Sequence, residues 1–152
     1  MLSKGENAPS FALPDSGGTT VRLGDFKGRY LVVYFYPRDS TPGCTIEAQQ
    51  FTALLDEFDK ANAAVVGIST DSMRSHCAFA EKYSLGVTLL SDESHAVTDA
   101  YGAWQQKKSG MGTVRTTVLV GPAGTVERVW ENVQADGHAR EVLAAIPRTT
   151  GS

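Results

Sequence analysis

The sequence predicts an α/β fold, and three observations carry that expectation. A seven-residue apolar run, Tyr30-Leu31-Val32-Val33-Tyr34-Phe35-Tyr36, is rich in β-branched and aromatic residues and ends at Pro37. Its length and composition fit a central strand buried on both faces. Behind it, stretches of helical spacing alternate with short apolar runs, the order expected when helices cover a sheet. Nearer the C-terminus, Thr113 to Val120 and Thr125 to Glu131 flank the turn Gly121-Pro122-Ala123-Gly124 and read as an antiparallel hairpin.

From the N-terminus, Ser10 to Leu23 reads as two short extended pieces around Asp15-Ser16-Gly17-Gly18, a second hairpin. After the central strand and a loop from Arg38 to Gly43, a helix is predicted from Ala48, Phe51, Leu54 or Leu55, and Phe58 at three- and four-residue spacing. Ala64 to Ser69 is a further buried strand. Thr70-Asp71-Ser72 supplies N-cap candidates for a helix from Ser72 to Tyr83, with His76, Phe79, Ala80 and Tyr83 on one face. Val87 to Leu90 reads as a short strand, and Ser94 to Tyr101 as a short helix closed by Gly102. Lys107-Lys108-Ser109-Gly110 reads as a mobile loop, and Trp104 and Trp130 as packing residues, Trp104 being placed to rim a site near Arg115. Asp136 or Gly137 opens a last helix through Ile146, with Val142, Leu143 and Ile146 facing inward. The sum is a mixed sheet with helices on both faces, in outline an α/β fold of the thioredoxin kind, as one domain over residues 1–152.

Composition narrows the function classes. Apolar residues make up 41% and charged residues 20%, enough to bury a core. Fourteen Lys and Arg against seventeen Asp and Glu give a formal charge of −3, so no basic excess exists to displace counterions from nucleic-acid phosphates. The seven-residue apolar run is far below the roughly 20 residues that cross a bilayer. The opening Met1-Leu2-Ser3-Lys4-Gly5-Glu6 has no apolar signal region, which predicts a reducing, cytoplasmic location. There, two cysteines are expected to be redox-active rather than structural. Those cysteines and three scattered histidines show no ligand spacing, so no metal site is expected. No phosphate-binding or dinucleotide glycine loop appears, and no serine-nucleophile elbow.

The chemistry concentrates in Pro37-Arg38-Asp39-Ser40-Thr41-Pro42-Gly43-Cys44-Thr45-Ile46-Glu47. This segment joins the carboxyl end of a buried strand to a helix, the usual ligand crevice of an α/β sheet. Cys44 falls in the first helical turn, where unpaired N–H groups and the positive dipole end favour a thiolate over a thiol. Pro42-Gly43 permits close backbone approach, and Thr41 places a hydroxyl that can donate toward an oxygen bound beside the sulfur. Read alone, Cys44 also fits a small buried hydrophobe. The polar loop around it favours the reactive reading.

These residues resemble the peroxiredoxins. Pro37, Thr41 and Cys44 meet that family's active-site pattern of Pro, three residues, Thr or Ser, two residues, Cys. The string Thr41-Pro42-Gly43-Cys44-Thr45 followed by Glu47 looks like the bacterioferritin comigratory protein, or peroxiredoxin Q, branch. Ala8-Pro9-Ser10-Phe11-Ala12-Leu13, Gly67-Ile68-Ser69-Thr70-Asp71-Ser72, Phe79-Ala80-Glu81-Lys82-Tyr83 and Leu89-Leu90-Ser91-Asp92 match in order, and Arg115-Thr116-Thr117 corresponds to the strand with the family's active-site arginine. The resemblance implies a thiol peroxidase that needs no metal or organic cofactor. It assigns nucleophilic attack on the peroxide to Cys44, with the substrate held by Thr41 and by backbone N–H groups near Gly43 and Cys44. Arg115 would keep Cys44 ionised, Glu47 would orient the guanidinium, and Pro37 and Pro42 would shape the pocket. Without the resemblance, a mid-strand arginine is usually solvated, and a glutamate in a first helical turn commonly just complements the dipole.

The second cysteine departs from the branch. Many members carry a resolving cysteine five residues after the first, a position held here by Gln49. The other thiol is Cys77, 33 residues beyond Cys44, about one turn short of where other members place theirs. Positions three apart share a helix face, so such a shift need not abolish the reaction. The resemblance makes Cys77 the expected resolving residue, beside the plainer reading of a half-buried packing residue flanked by Met73 and Ala80. The disulfide would be recycled by thioredoxin or a similar dithiol protein, and the resemblance favours a monomer. Two alternatives stand beside this: a one-cysteine peroxidase recycled by an external thiol, and a peroxide sensor that relays oxidation to a partner protein. A thioredoxin-like disulfide reductase is disfavoured, because no second Cys lies three residues from Cys44.

Overall fold

The computed structural model describes residues 2–147. Its centre is a five-stranded mixed sheet in the order β5-β4-β3-β8-β9. The middle strand is the apolar run, β3 (Tyr30–Phe35), which pairs in parallel with β4 (Ala63–Ser69) and antiparallel with β8 (Thr116–Val120). Outside these lie β5 (Thr88–Ser91), parallel to β4, and β9 (Val126–Trp130), antiparallel to β8. The predicted N-terminal hairpin is β1 (Ala12–Pro14) with β2 (Thr20–Arg22), followed by a 3-10 turn over Leu23–Phe26.

Alternation along β3 divides the interior in two. Val32, Tyr34 and Tyr36 face a core built with Phe51, Phe58, Phe79 and Val142 from four helices. Those are α1 (Pro42–Ala53), α2 (Leu55–Lys60), α3 (Met73–Tyr83) and α5 (His138–Ala145). Leu31, Val33 and Phe35 face a second core with Phe11, Leu13, Tyr101 and Ala103. That face is covered by the N-terminal hairpin and the short α4 (Ala96–Ala100), so the two layers are unequal. Among the described residues no helix is long and apolar enough to cross a membrane.

Three boundaries differ from the sequence reading. The helix after Cys44 breaks at Leu54, whose ψ of 5° ends the ladder, so Leu54 is buried and Leu55 only half-buried. Lys107 to Gly110 is not a loose loop but the end of a hairpin, β6 (Trp104–Lys107) with β7 (Gly110–Thr113). The turn Lys108-Ser109 leads into Gly110, which opens β7 at a φ of 111°, a left-handed position after a tight turn that favours glycine. Thr113 therefore ends β7 rather than beginning β8, which leaves Val114 and Arg115 in a kink between strands.

Candidate active site

The β3-to-α1 loop sits at the carboxyl end of the central strand. Thr41 is the N-cap of α1 in extended conformation and Pro42 is its first residue, where the ring fixes φ and a missing N–H costs nothing. Thr45 is the first residue whose N–H reaches the ladder, at 2.9 Å from the Thr41 carbonyl. The N–H groups of Gly43 and Cys44 precede that bond and lie at the positive end of the helix. Cys44 itself is 1% exposed and packs in the core beside Ala48 and Tyr34.

Arg115 closes the site from the other side of the chain. Its Nη2 lies 3.4 Å from Cys44 Sγ and its Nη1 donates to Glu47 Oε1 at 2.5 Å. The kink between β7 and β8 lets the side chain leave the sheet's alternation, and the Arg115 carbonyl accepts from Val133 N–H at 3.1 Å. Gly43 makes room for the guanidinium: a Cβ there would stand 3.1 Å from Arg115 Nη2. The close approach expected at Gly43 is thus that of the arginine.

Glu47 lies in the second turn of α1, not the first, and is fully buried, so it does not simply complement the dipole. Burial pushes its carboxyl up to about 7, against the pull of Arg115. Arg115 moves the opposite way in energy: burial would lower it, but Glu47 and Cys44 together hold it above its ordinary value. The asymmetry follows from exposure, since the arginine side chain keeps 15% contact with solvent while the carboxyl keeps none. Among the described residues Glu47 Oε2 has no hydrogen-bond partner.

A stability effect follows. Below pH 4.5 both folded and unfolded chains carry the Glu47 proton. Between 4.5 and about 7 the unfolded chain loses it first, so the folded state binds more protons and stability falls as pH rises. Urea unfolding across that window should show wild type losing about 3 kcal/mol more than Glu47→Gln. Parallel slopes for the two proteins would refute it.

The other expected site residues are brought together unequally. Thr41 is half-buried and its hydroxyl donates to the Arg38 carbonyl at 2.9 Å, so its proton is already committed and lone pairs remain for a ligand. Pro37 is half-buried and Pro42 exposed. Cys77 is exposed on α3, in a groove of about 540 Å3 with Met73, Arg74 and the hairpin turn Ser16 to Gly18. Cys44 and Cys77 are both free thiols in separate surroundings, one in the core and one facing that groove.

Sequence reasoning missed two neighbours of this site. Tyr34 stacks on Phe51 at 4.5 Å between ring centroids, and among the described residues its buried hydroxyl has no partner. Burial, then the charges of Glu47 and Cys44, raise its pKa well above the usual phenol range, so it stays neutral beneath the site. Its ring is accommodated only by Gly67 on the adjacent strand, where a Cβ would come within 2.6 Å. The second is His76, which helical spacing places only on the inward face of its helix. It is fully buried against the Cys44 loop. Its partner Asp39 lies 37 residues away in sequence, a separation that periodicity does not read.

The chain is similar to known proteins over most of its length. The pattern of the AhpC/TSA family matches residues 4–129. The chain is 42% identical over 149 residues to the putative peroxiredoxin bcp of Helicobacter pylori, covering 95% of this chain and 98% of the relative. It is 45% identical over 145 residues to peroxiredoxin Bcp of Xanthomonas campestris, covering 91% of each. The bacterioferritin comigratory protein of Xanthomonas campestris, a structure studied for alkyl peroxide reduction, superposes with a TM-score of 0.90 at 40% identity, over 95% of this chain and 97% of that one. A mutant of the Xylella fastidiosa peroxiredoxin Q superposes at 0.91 with 35% identity, over 95% and 94%.

Proposed function

The chain belongs to the AhpC/TSA family, among the Bcp and peroxiredoxin Q proteins, and we propose that Cys44 is the peroxidatic residue of this thiol peroxidase. The observation that carries the assignment is the Arg115 guanidinium 3.4 Å from the Cys44 sulfur, at the N-terminal turn of α1. A cation and a helix terminus converge on one sulfur, where they can stabilise negative charge in the reaction.

The thiolate attacks the terminal oxygen of a hydroperoxide in line with the O–O bond. An S–O bond forms, the O–O bond breaks, and the leaving alkoxide or hydroxide takes up a proton to become an alcohol or water. The backbone N–H groups of Gly43 and Cys44, with Arg115, stabilise charge spreading over the two oxygens. Thr41, its own proton given to Arg38, accepts from the peroxide O–H. Glu47 holds the guanidinium in place through Nη1, and Pro37 and Pro42 frame the opening. No metal or organic cofactor takes part in this scheme.

A thiol then attacks the Cys44 sulfenic acid, releasing water and leaving a disulfide. We assign that attack to Cys77 and the recycling of the disulfide to thioredoxin or a similar dithiol protein, acting on a monomer in the cytoplasm. Because Cys44 is buried and Cys77 faces a different groove, α1 or α3 must open at its first turn before the sulfurs meet. One equivalent of hydrogen peroxide, followed by blocking of free thiols, is expected to lower the intact mass by about 2 Da with both thiols protected. Cys77→Ser should keep the first oxidation and lose recycling by thioredoxin. A gain of about 16 Da with Cys77 still free would replace this cycle by a one-cysteine one. Prompt oxidation with slow recycling by every common reductant would point to a sensor.

A further inference from the structure

Between the Cys44 loop and the helix bearing Cys77 lies a buried cluster with no part in the steps above. Its hub is Asp39, five residues before Cys44 and 7% exposed. Tyr36 donates its hydroxyl to Asp39 Oδ1 at 2.6 Å. Ser75 Oγ donates to Oδ2 at 2.8 Å, and His76 Nδ1 lies 2.7 Å from the same oxygen, both residues coming from the first turn of α3. The Asp39 N–H donates to Asp71 Oδ2 at 2.8 Å, which also accepts from Ser69 Oγ at 2.6 Å. His76 Nε2 lies 3.0 Å from the Leu90 carbonyl oxygen, so both ring nitrogens have a polar neighbour. Asp39, Asp71 and His76 bring ligand atoms within 4.8 Å of one another, but the atoms of this cluster already face protein donors and acceptors.

We propose that Tyr36, Ser75 and His76, acting through Asp39, are positioning residues that latch the Cys44 loop shut. Their release sets how the Cys44 sulfenic acid divides between capture by a thiol and further oxidation. The inference rests on the peroxidatic role of Cys44.

The physical case has three parts. Asp39 ties the loop to the ends of β3 and β4 and to α3, whereas its neighbour Ser40 sits at a φ of 64°, a strained conformation for a side-chain-bearing residue. A strained residue beside a polar hub is freed to relax when the contacts of that hub are lost. His76 adjoins Cys77, so the contact that closes the loop also fixes the helix carrying the second thiol. Last, the two fates of the sulfenic acid need opposite states. Thiol capture forms an S–S bond and releases water, and needs the sulfur out of its buried pocket. Further oxidation transfers one oxygen from a second peroxide, giving a sulfinic acid and an alcohol or water, and needs the closed pocket.

The test cycles wild type, Tyr36→Phe and Ser75→Ala with dithiothreitol under rising hydrogen peroxide, reading sulfinic acid as a gain of about 32 Da. Losing one hydrogen bond to a carboxylate can change an opening equilibrium by up to about tenfold. Each variant should therefore need about three- to tenfold more peroxide for half conversion. Val126→Ala, a destabilising change in the core on the opposite face, should behave as wild type. A Cys77→Ser background, in which dithiothreitol is the only capturing thiol, separates the latch from the resolving cysteine. A shift in either background upholds the latch. An unchanged dose in both, or an equal shift in Val126→Ala, overturns it. Absence of any Cys44 oxidation, in wild type as well, overturns instead the peroxidatic reading beneath it.

Discussion

Cys44→Ser is expected to reduce peroxide consumption to the uncatalysed background while leaving the protein folded. The loss is chemical. A serine hydroxyl is a far weaker nucleophile than a thiolate, and oxygen lacks the polarizable lone pair that opens an O–O bond. The fold should survive because the change is nearly isosteric at a site only 1% exposed. The new hydroxyl also finds a donor in Arg115 Nη2, which already stands 3.4 Å from the sulfur, so no buried polar atom is orphaned. Peroxide consumption and thermal unfolding measured on one preparation check both halves. Activity within tenfold of wild type would end the assignment of Cys44, whatever the melting curve showed.

Arg115→Met should lower the second-order rate constant for Cys44 oxidation by about 10²–10³-fold, the loss typical of one preorganised donor at a developing negative charge. Methionine keeps much of the stem that passes Gly43 and removes the charge. Glu47 would then lie buried with neither oxygen paired and would take up a proton. Arg115→Lys should recover less than tenfold of the loss. Arg115 uses two nitrogens at once, Nη1 on Glu47 and Nη2 on the sulfur, and a point charge on a flexible stem cannot span both. Stopped-flow fluorescence of Cys44 oxidation reads this directly. Equal rates for Arg115→Met and wild type would show that the helix terminus alone activates the sulfur.

Local patterns carried much of this molecule. The run Tyr30 to Tyr36 holds β3 and the residue after it, because side chains that alternate between two cores must be apolar at every position. Ser72 became the N-cap of α3, its side chain accepting from Ser75 N–H, because capping is decided within four residues. The β6–β7 hairpin escaped notice because its strands are short and polar, so period-2 alternation is faint over Trp104 to Lys107. Glu47 was one helical turn deeper than its distance from Cys44 suggested. Where α1 begins depends on Thr41 and Pro42, and a shift of two residues moves a side chain from the exposed rim to the core.

The sequence by itself determined the strand, the loop and the helix that set Cys44 at a helix terminus, since each depends on neighbours within a turn or a strand. Only the tertiary structure decided what stands beside the sulfur. Arg115 meets Cys44 across 71 residues, and His76 meets Asp39 across 37. Cys77 is turned out to a groove of its own. Such distances are settled by the order of strands in the sheet and by which face each helix covers. Hydrophobic spacing along one segment carries no record of the segment that will pack against it.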